Sequence, residues 1–324
     1  MEPLVSIIIP VYNVEDWLAE TLECVRRQTY NNIEVFLIDD ESTDGSGTIC
    51  DEFAANDDRF QVFHLKKVGI SNARNFGLDR VTGKYVMFID ADDLVKPDYV
   101  YSLLSVAEKT GRSIITCSYV NGKRCSPDEF LANTDENEPE YELIALQNYM
   151  PFNNYTHYEV WAAIFLAQLI EDIRFSPNLS VGEDTLFFYQ SLRNAGEAVF
   201  VNTEPYYYRF RELSAFHNPF SKARLMRVAV VEKVADIFKG IPGNSSREFQ
   251  AKAGIICKND LIKAIECNFD DRKIKNYLYK KAWRYYRSIL QSKKIKLITK
   301  IAYSAFLCSP ILYVKTKRLI KNGK

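Results

Sequence analysis

Three carboxylates, Asp90, Asp92 and Asp93, crowd the end of an apolar run in YVMFIDADDL (85–94). Like charges this close repel and lose hydration, so a cation or a set of hydrogen-bond donors must hold them. Alternate positions in an extended segment put Asp90 and Asp92 on one side of the chain, and such hard oxygen ligands suit Mg²⁺ or Mn²⁺. Two other readings apply. Asp93 can serve a turn, although three acids exceed what a cap needs. A phosphatase-type nucleophile would follow the first strand, whereas this D-x-D follows the fourth. A second pair, Asp39-Asp40, ends the run EVFLI (34–38). Ser42 or Asp44 behind it can cap a helix, which leaves the pair itself unexplained. A third pair, Glu183-Asp184, opens an amphipathic segment, where acids are favoured by the helix macrodipole.

Chemistry of this kind needs elements that bring the acids together. Apolar, β-branched runs at 5–9, 34–38, 60–65, 85–89 and 113–117 read as short buried strands. Amphipathic segments between them, at 14–28, 45–56, 70–81 and 97–109, predict helices, with start signals at Ser71 and Lys96-Pro97-Asp98. Strand alternating with helix implies an α/β fold with a mostly parallel sheet covered on both faces. Ligands in such folds bind beyond the carboxyl ends of the strands, where PVYN, DDESTDGS and DADD fall. Residues 121–155 read as loops and short helices, VWAAIFLAQLI (160–170) and 182–196 as helices, and 199–201 and 205–210 as two strands. Beyond Pro219 the pattern is helical.

The order SIIIPVYN, IDDESTDGS, GISNARNFGL, FIDADDL, VGEDTLFF resembles the inverting family-2 glycosyltransferases of GT-A fold, over roughly Pro3 to Arg211. The resemblance implies a Rossmann-like GT-A domain over 1–215 and a helical C-terminal region over 216–324. It also implies a nucleotide-sugar donor, typically UDP-linked, and a Mg²⁺ or Mn²⁺ cofactor. By position, Pro10, Val11 and Tyr12 line the nucleoside pocket, Asp39 accepts from the base with Asp40 beside it, and Arg74 sits near the diphosphate. Asp90 holds the ribose or metal side, Asp92 ligates the metal, Asp184 is the general base and Glu183 orients it or the acceptor. Trp161, Tyr208 and Arg209 are candidate acceptor or donor contacts beside their plainer reading as core, with Tyr206 and Arg211 in the same stretch. Resembling chains often carry a Lys where this one has Ala162-Ala163, a departure that bears on acceptor recognition. His64, His157 and His217 are too dispersed for a metal site and read as packing or surface residues. The implied setting is surface polysaccharide assembly, with a lipid-linked or saccharide acceptor. A silent sugar-nucleotide-binding or scaffold protein of the same fold is the alternative, and the full set of acids argues against it.

A formal net charge of zero over 324 residues hides a division. Residues 272–324 carry 16 Lys/Arg and no Asp/Glu, leaving 26 basic against 42 acidic side chains in the remainder. The stretch IAYSAFLCSPILYV (301–314) is uncharged but shorter than the ~20 residues a spanning helix needs. Its lysine-rich flanks suit a helix lying on an anionic membrane through 293–324, against the plainer alternative of a helix folded onto the domain. Nothing else in the chain supports nucleic acid. Seven scattered cysteines without a C-x-x-C pair suggest free thiols, and the acidic start lacks the basic region of a signal peptide. The expected location is the cytoplasm, peripheral on the inner face of the membrane.

Overall fold

The structure, a computed structural model, describes residues 2–132, 140–149, 159–179, 181–210, 224–243 and 245–322. The chain divides into two compact units. The first comprises Met1–Leu146, His157–Leu179 and Glu183–Glu212; the second comprises Gln147–Thr156, Ser180–Gly182 and Leu213–Lys324.

The first unit begins with alternating strands and helices: β1 (Val5–Val11), α1 (Glu15–Arg26), β2 (Ile33–Asp39), α2 (Ser46–Asn56), β3 (Phe60–His64), α3 (Ile70–Leu78) and β4 (Tyr85–Phe88). There follow β5 (Leu94–Val95), α4 (Tyr99–Thr110), β6 (Ile114–Asn121), α5 (Pro127–Ala132), β7 (Tyr141–Ala145), β8 (Ala163–Leu166), α6 (Glu183–Ala195) and β9 (Glu197–Tyr208). Among the described residues these strands form one sheet in the order β3-β2-β1-β4-β8-β6-β9-β5, with β7 paired to β9. The β3-β2-β1-β4 half is parallel, and β8 lies antiparallel between β4 and β6. Ile7, Ile8 and Ile9 are all fully buried, as expected of a strand covered on both faces. Each contributes roughly 1.5–3 kcal/mol by leaving water. One face carries Val5, Ile7, Ile9 and Val11 into a core shared with α1 and α4. On the other, Phe88 meets Phe165, Phe175 and Phe187 at 5.2–6.2 Å edge-on, which anchors α6. Gly77 lets α3 lie flat on this face, since a Cβ there would come within 2.6 Å of Ile8.

Three expectations fail locally. Within 121–155, read as loops and short helices, Tyr141–Ala145 form β7, antiparallel to β9. The run 160–170 is not a helix: short 3₁₀ turns bracket β8. Apart from the exposed Gln168 its residues are apolar, so its spacing does not separate helix from buried strand, and pairing with both β4 and β6 decides the matter. The two strands expected at 199–201 and 205–210 are a single strand, β9, whose register on β6 shifts between Cys117 and Tyr119.

The second unit is helical: α7 (Arg224–Ile237), α8 (Ser245–Glu266), α9 (Arg272–Arg284), α10 (Tyr286–Gln291), α11 (Leu297–Cys308) and α12 (Pro310–Asn322). Its core includes Val228, Cys257, Leu261, Leu278, Ile289, Tyr303, Phe306 and Val314. The buried Tyr303 hydroxyl donates to the carbonyls of Gly254 (3.0 Å) and Ala282 (2.9 Å), satisfying a group that would otherwise cost energy to bury.

Candidate active site

Parallel strands that end together leave a crevice at their carboxyl edge. Here the crevice is a cleft of about 430 Å³. Pro10, Val11 and Tyr12 at the end of β1 form one wall, and Asp40, Lys67 and Gly69 another. Asp90, Ala91 and Asp92, leaving β4, complete the lining. Its size falls within the range of roughly 300–1,000 Å³ typical of small-molecule sites. Lys67 Nζ lies 2.8 Å from the Tyr12 hydroxyl and 4.7 Å above its ring.

The acidic pair after β2 divides its work. Asp40 lines the cleft, and its carboxylate accepts from the Val68 (2.5 Å) and Gly69 (2.9 Å) amides. It thereby fixes the loop entering α3, where Gly69 takes φ +84°. Asp39, placed against the base by the sequence reading, is 4% exposed and engaged elsewhere. Its Oδ1 accepts from Ser42 N (3.1 Å) and its Oδ2 lies 2.8 Å from His64 Nδ1. His64 Nε2 reaches Asp51 Oδ1 at 3.1 Å. The carboxylates of Asp39 and then Asp51 hold the His64 imidazole above its ordinary pKa. Asp39 is therefore anchored by protein partners, and Asp40 takes its place on the cleft wall.

The DADD turn is held from behind by β9. Asp93 is 1% exposed; its carboxylate accepts from the Tyr206 hydroxyl and the Arg209 amide, both at 2.8 Å. Burial first, then Asp92 and Asp90, raise its pKa well above the usual carboxylate range. The same Tyr206 oxygen accepts from the Asp90 amide at 3.2 Å. Arg209 donates through Nε to the Asp92 carbonyl (2.8 Å) and through Nη2 to Glu20 (2.7 Å). With Asp93 turned inward, Asp90 and Asp92 are the members of the cluster that line the cleft.

Arg74 is the surprise. The expectation set it beside the diphosphate, yet it is 2% exposed and does not line the cleft. Its guanidinium forks between Asp90 Oδ1 (2.8 Å, from Nη2) and Glu183 Oε1 (3.1 Å, from Nη1), over the Phe175 ring at 5.2 Å. A bidentate donor suits two carboxylates from different elements. The ion pairs tie the turn after β4 to the first residue of α6, which carries Asp184. Burial raises the pKa of Asp184, and the Arg74 charge opposes that rise. Asp184 Oδ1 accepts from the Thr185 amide at 2.6 Å. Glu183 is likewise raised, by burial and then by Asp184.

Of the three candidate sugar contacts, Trp161 is 7% exposed and stacked on Tyr206 (4.5 Å) and Tyr208 (5.6 Å). It is core rather than a free platform, and Arg209 is committed to the acidic turn. Tyr208 keeps part of its surface open. Arg211, His157 and His217 lie outside the described residues, as do 133–139 and 150–155. Sequence reasoning missed the partners His64, Lys67 and Tyr206. A signal existed for the first, because a histidine ending β3 falls opposite Asp39 when parallel strands are aligned.

Residues 6–173 match the family model described as glycosyl transferase family 2. The chain is 30% identical over 246 residues to glycosyltransferase GlyG of Streptococcus pneumoniae serotype 4, covering 73% of this chain and 81% of that protein. It is 28% identical over 214 residues to the minor teichoic acid biosynthesis protein GgaB of Bacillus subtilis, covering 64% of this chain but only 23% of that longer protein. The crystal structure of S. aureus TarS 1–349 in complex with UDP-GlcNAc matches with a TM-score of 0.69 at 17% identity, over 99% of this chain and 92% of that one. That likeness shows the fold, a mixed α/β GT-A architecture with a helical C-terminal part. Family model, relative and fold agree: the chain belongs to glycosyl transferase family 2 and is a glycosyltransferase.

Proposed function

We propose that this glycosyltransferase moves one sugar from a nucleotide-sugar donor, UDP-linked by the family resemblance, to a lipid-linked or saccharide acceptor with inversion. The setting is surface polysaccharide assembly at the cytoplasmic face of the membrane. The observation that carries the reading is the Arg74 fork, which joins the cleft-lining Asp90 to the helix start bearing Asp184. In this reading the nucleoside lies along Pro10, Val11 and Tyr12, beside Asp40, and Lys67 adds positive charge to the wall.

Among the described residues no three His, Cys, Asp or Glu side chains converge as a metal cage. Two carboxylates on the cleft wall nevertheless fit Mg²⁺ or Mn²⁺, since such ions are commonly held by one or two carboxylates together with substrate phosphates. Asp90 and Asp92 would hold the ion, which when bound supplies Lewis-acid stabilisation of charge on the departing diphosphate. Asp184 accepts the proton of the acceptor hydroxyl as its oxygen attacks the anomeric carbon opposite the leaving group. Such assistance is worth on the order of 10²–10⁴ in rate. Burial makes Asp184 a stronger base than an exposed aspartate, and the Arg74 charge opposes that rise.

The test is donor turnover and donor binding with a panel of UDP-sugars, with and without Mn²⁺. Asp184→Ala is expected to abolish transfer and keep donor binding, whereas Asp92→Ala loses transfer and metal-dependent binding together. Wild-type turnover in either variant would overturn the role given to that residue. Donor binding without any turnover in the wild type would instead favour the silent binding protein.

A further inference from the structure

Helix α11 is apolar on both faces, and only one of them is used. Tyr303, Phe306 and Leu307 point into the core of the second unit. On the opposite face Leu297 (73% exposed), Ile298 (69%) and Ile301 (57%) stand in solvent, followed at helical spacing by the exposed Ala305 and Cys308. The surface continues onto α12, where Ile311 (61%) and Leu312 (63%) are also open while Val314 is buried. Ile311 further lines a groove of about 660 Å³ with Leu261 and Tyr279, rimmed by Arg272, Lys275 and Lys315.

Isolated exposed leucines are ordinary; a run of large aliphatics on adjoining helices marks an interaction surface. Its frame identifies the occupant. Exposed lysines stand before it (Lys293, Lys294, Lys296) and after it (Lys315, Lys317), and residues 272–324 contain no acid. A second copy would bring two lysine frames together and is disfavoured by charge. An anionic bilayer answers both features, since its headgroups pair with the lysines and its acyl boundary takes the aliphatics. Spanning is excluded by geometry. Ser309 is extended (φ −157°, ψ 94°) and separates helices of 12 and 13 residues, each about 20 Å long against a hydrocarbon core of about 30 Å.

We propose that α11 and α12 form a ready-made docking face for an anionic phospholipid surface. The outer residues Leu297, Ile298, Ile301, Ile311 and Leu312 enter the interface while the inner residues stay packed, so binding needs no unfolding of the second unit. Docking is independent of the transfer chemistry and can fail without touching it.

The experiment is co-sedimentation of the full chain with phosphatidylcholine vesicles, with and without phosphatidylglycerol. Wild type should pellet with the anionic vesicles and be released by salt. Ile298→Ser/Ile301→Ser/Leu312→Ser should weaken that partitioning by roughly tenfold or more, with helicity and melting temperature unchanged because these side chains lie outside the core. Lys293→Gln/Lys294→Gln/Lys296→Gln should remove much of the preference for anionic lipid. In a separate variant, Ile301→Trp fluorescence should shift to the blue with anionic vesicles only. Wild type that stays in the supernatant at low salt, or a serine variant that binds equally well, overturns the proposal. So does a wild-type dimer that the serine variant converts to monomer without any vesicle binding, because the face would then belong to a second copy.

Discussion

Replacing Arg74 with methionine removes a side chain that bonds both Asp90 and Glu183. Methionine fills similar volume beside Phe175, so the loss is chiefly of charge and of the two ion pairs. The Arg74 and Glu183 side chains are 3% and 11% exposed, and breaking a buried pair by deleting one partner costs about 3–5 kcal/mol. At about 2–4 °C per kcal/mol for a domain of this size, the first unit should melt roughly 6–20 °C lower. The deficit should depend on pH with a definite sign. Burial already raises Glu183 above its ordinary 4.5 in the folded state, and Arg74 opposes that rise. A carboxyl with a raised folded pKa binds its proton more tightly folded than unfolded, so stability falls as pH climbs from the unfolded pKa through the folded one. Without Arg74 that window extends upward, so Arg74→Met should lose least below about pH 4.5 and most near neutrality. Asp184 supplies a second readout. The Arg74 charge lowers its pKa, so the acid limb of kcat/KM should move to higher pH in the variant. Arg74→Lys restores charge without the fork, and should recover most of the limb but only part of the melting temperature. Calorimetry from pH 4 to 8 and the pH–rate profile check both. An Arg74→Met protein that melts within about 2 °C of wild type at pH 7, with an unmoved acid limb, would refute the clamp.

Tyr206→Phe deletes the hydroxyl that bonds Asp93 Oδ2 and the Asp90 amide. Leaving those buried groups unpaired should cost about 1–3 kcal/mol in chemical denaturation, and unchanged stability would show that the turn holds itself. His64 should titrate above its ordinary 6.5 because Asp39 and Asp51 favour its charged form. The stability it adds is therefore complete below the unfolded pKa and lost as pH rises through the folded one. With its side chain 47% exposed, solvent screening keeps the effect under about 1 kcal/mol. An NMR titration of His64 in wild type should show the raised pKa, and Asp39→Asn should lower it; a value that does not move would unseat the pairing.

Why the sequence reveals some of this and hides the rest follows from the range over which each signal acts. The parallel strands and the helices α1 to α4 are legible because each satisfies a local pattern that its tertiary setting repeats: β1 is apolar on both sides and is buried on both. The run 160–170 carries no such pattern. Its assignment depends on β4 and β6, brought beside it from 85–88 and 114–121. The acids behave in the same way. Their types and strand-end positions announce a charged site, but which of them faces the cleft depends on donors distant in sequence. Asp93 is drawn inward by Tyr206 and Arg209, 113 and 116 residues away, and Asp39 is held by His64 across the β2–β3 pair. Arg74 is the sharpest case, since an arginine in a motif next to acids reads as a phosphate ligand until its burial is known. It is 2% exposed, absent from the cleft lining, and shared between two carboxylates from different elements. Its positive charge offsets Asp90, Glu183 and Asp184 where the turn after β4 and the start of α6 bring them close together.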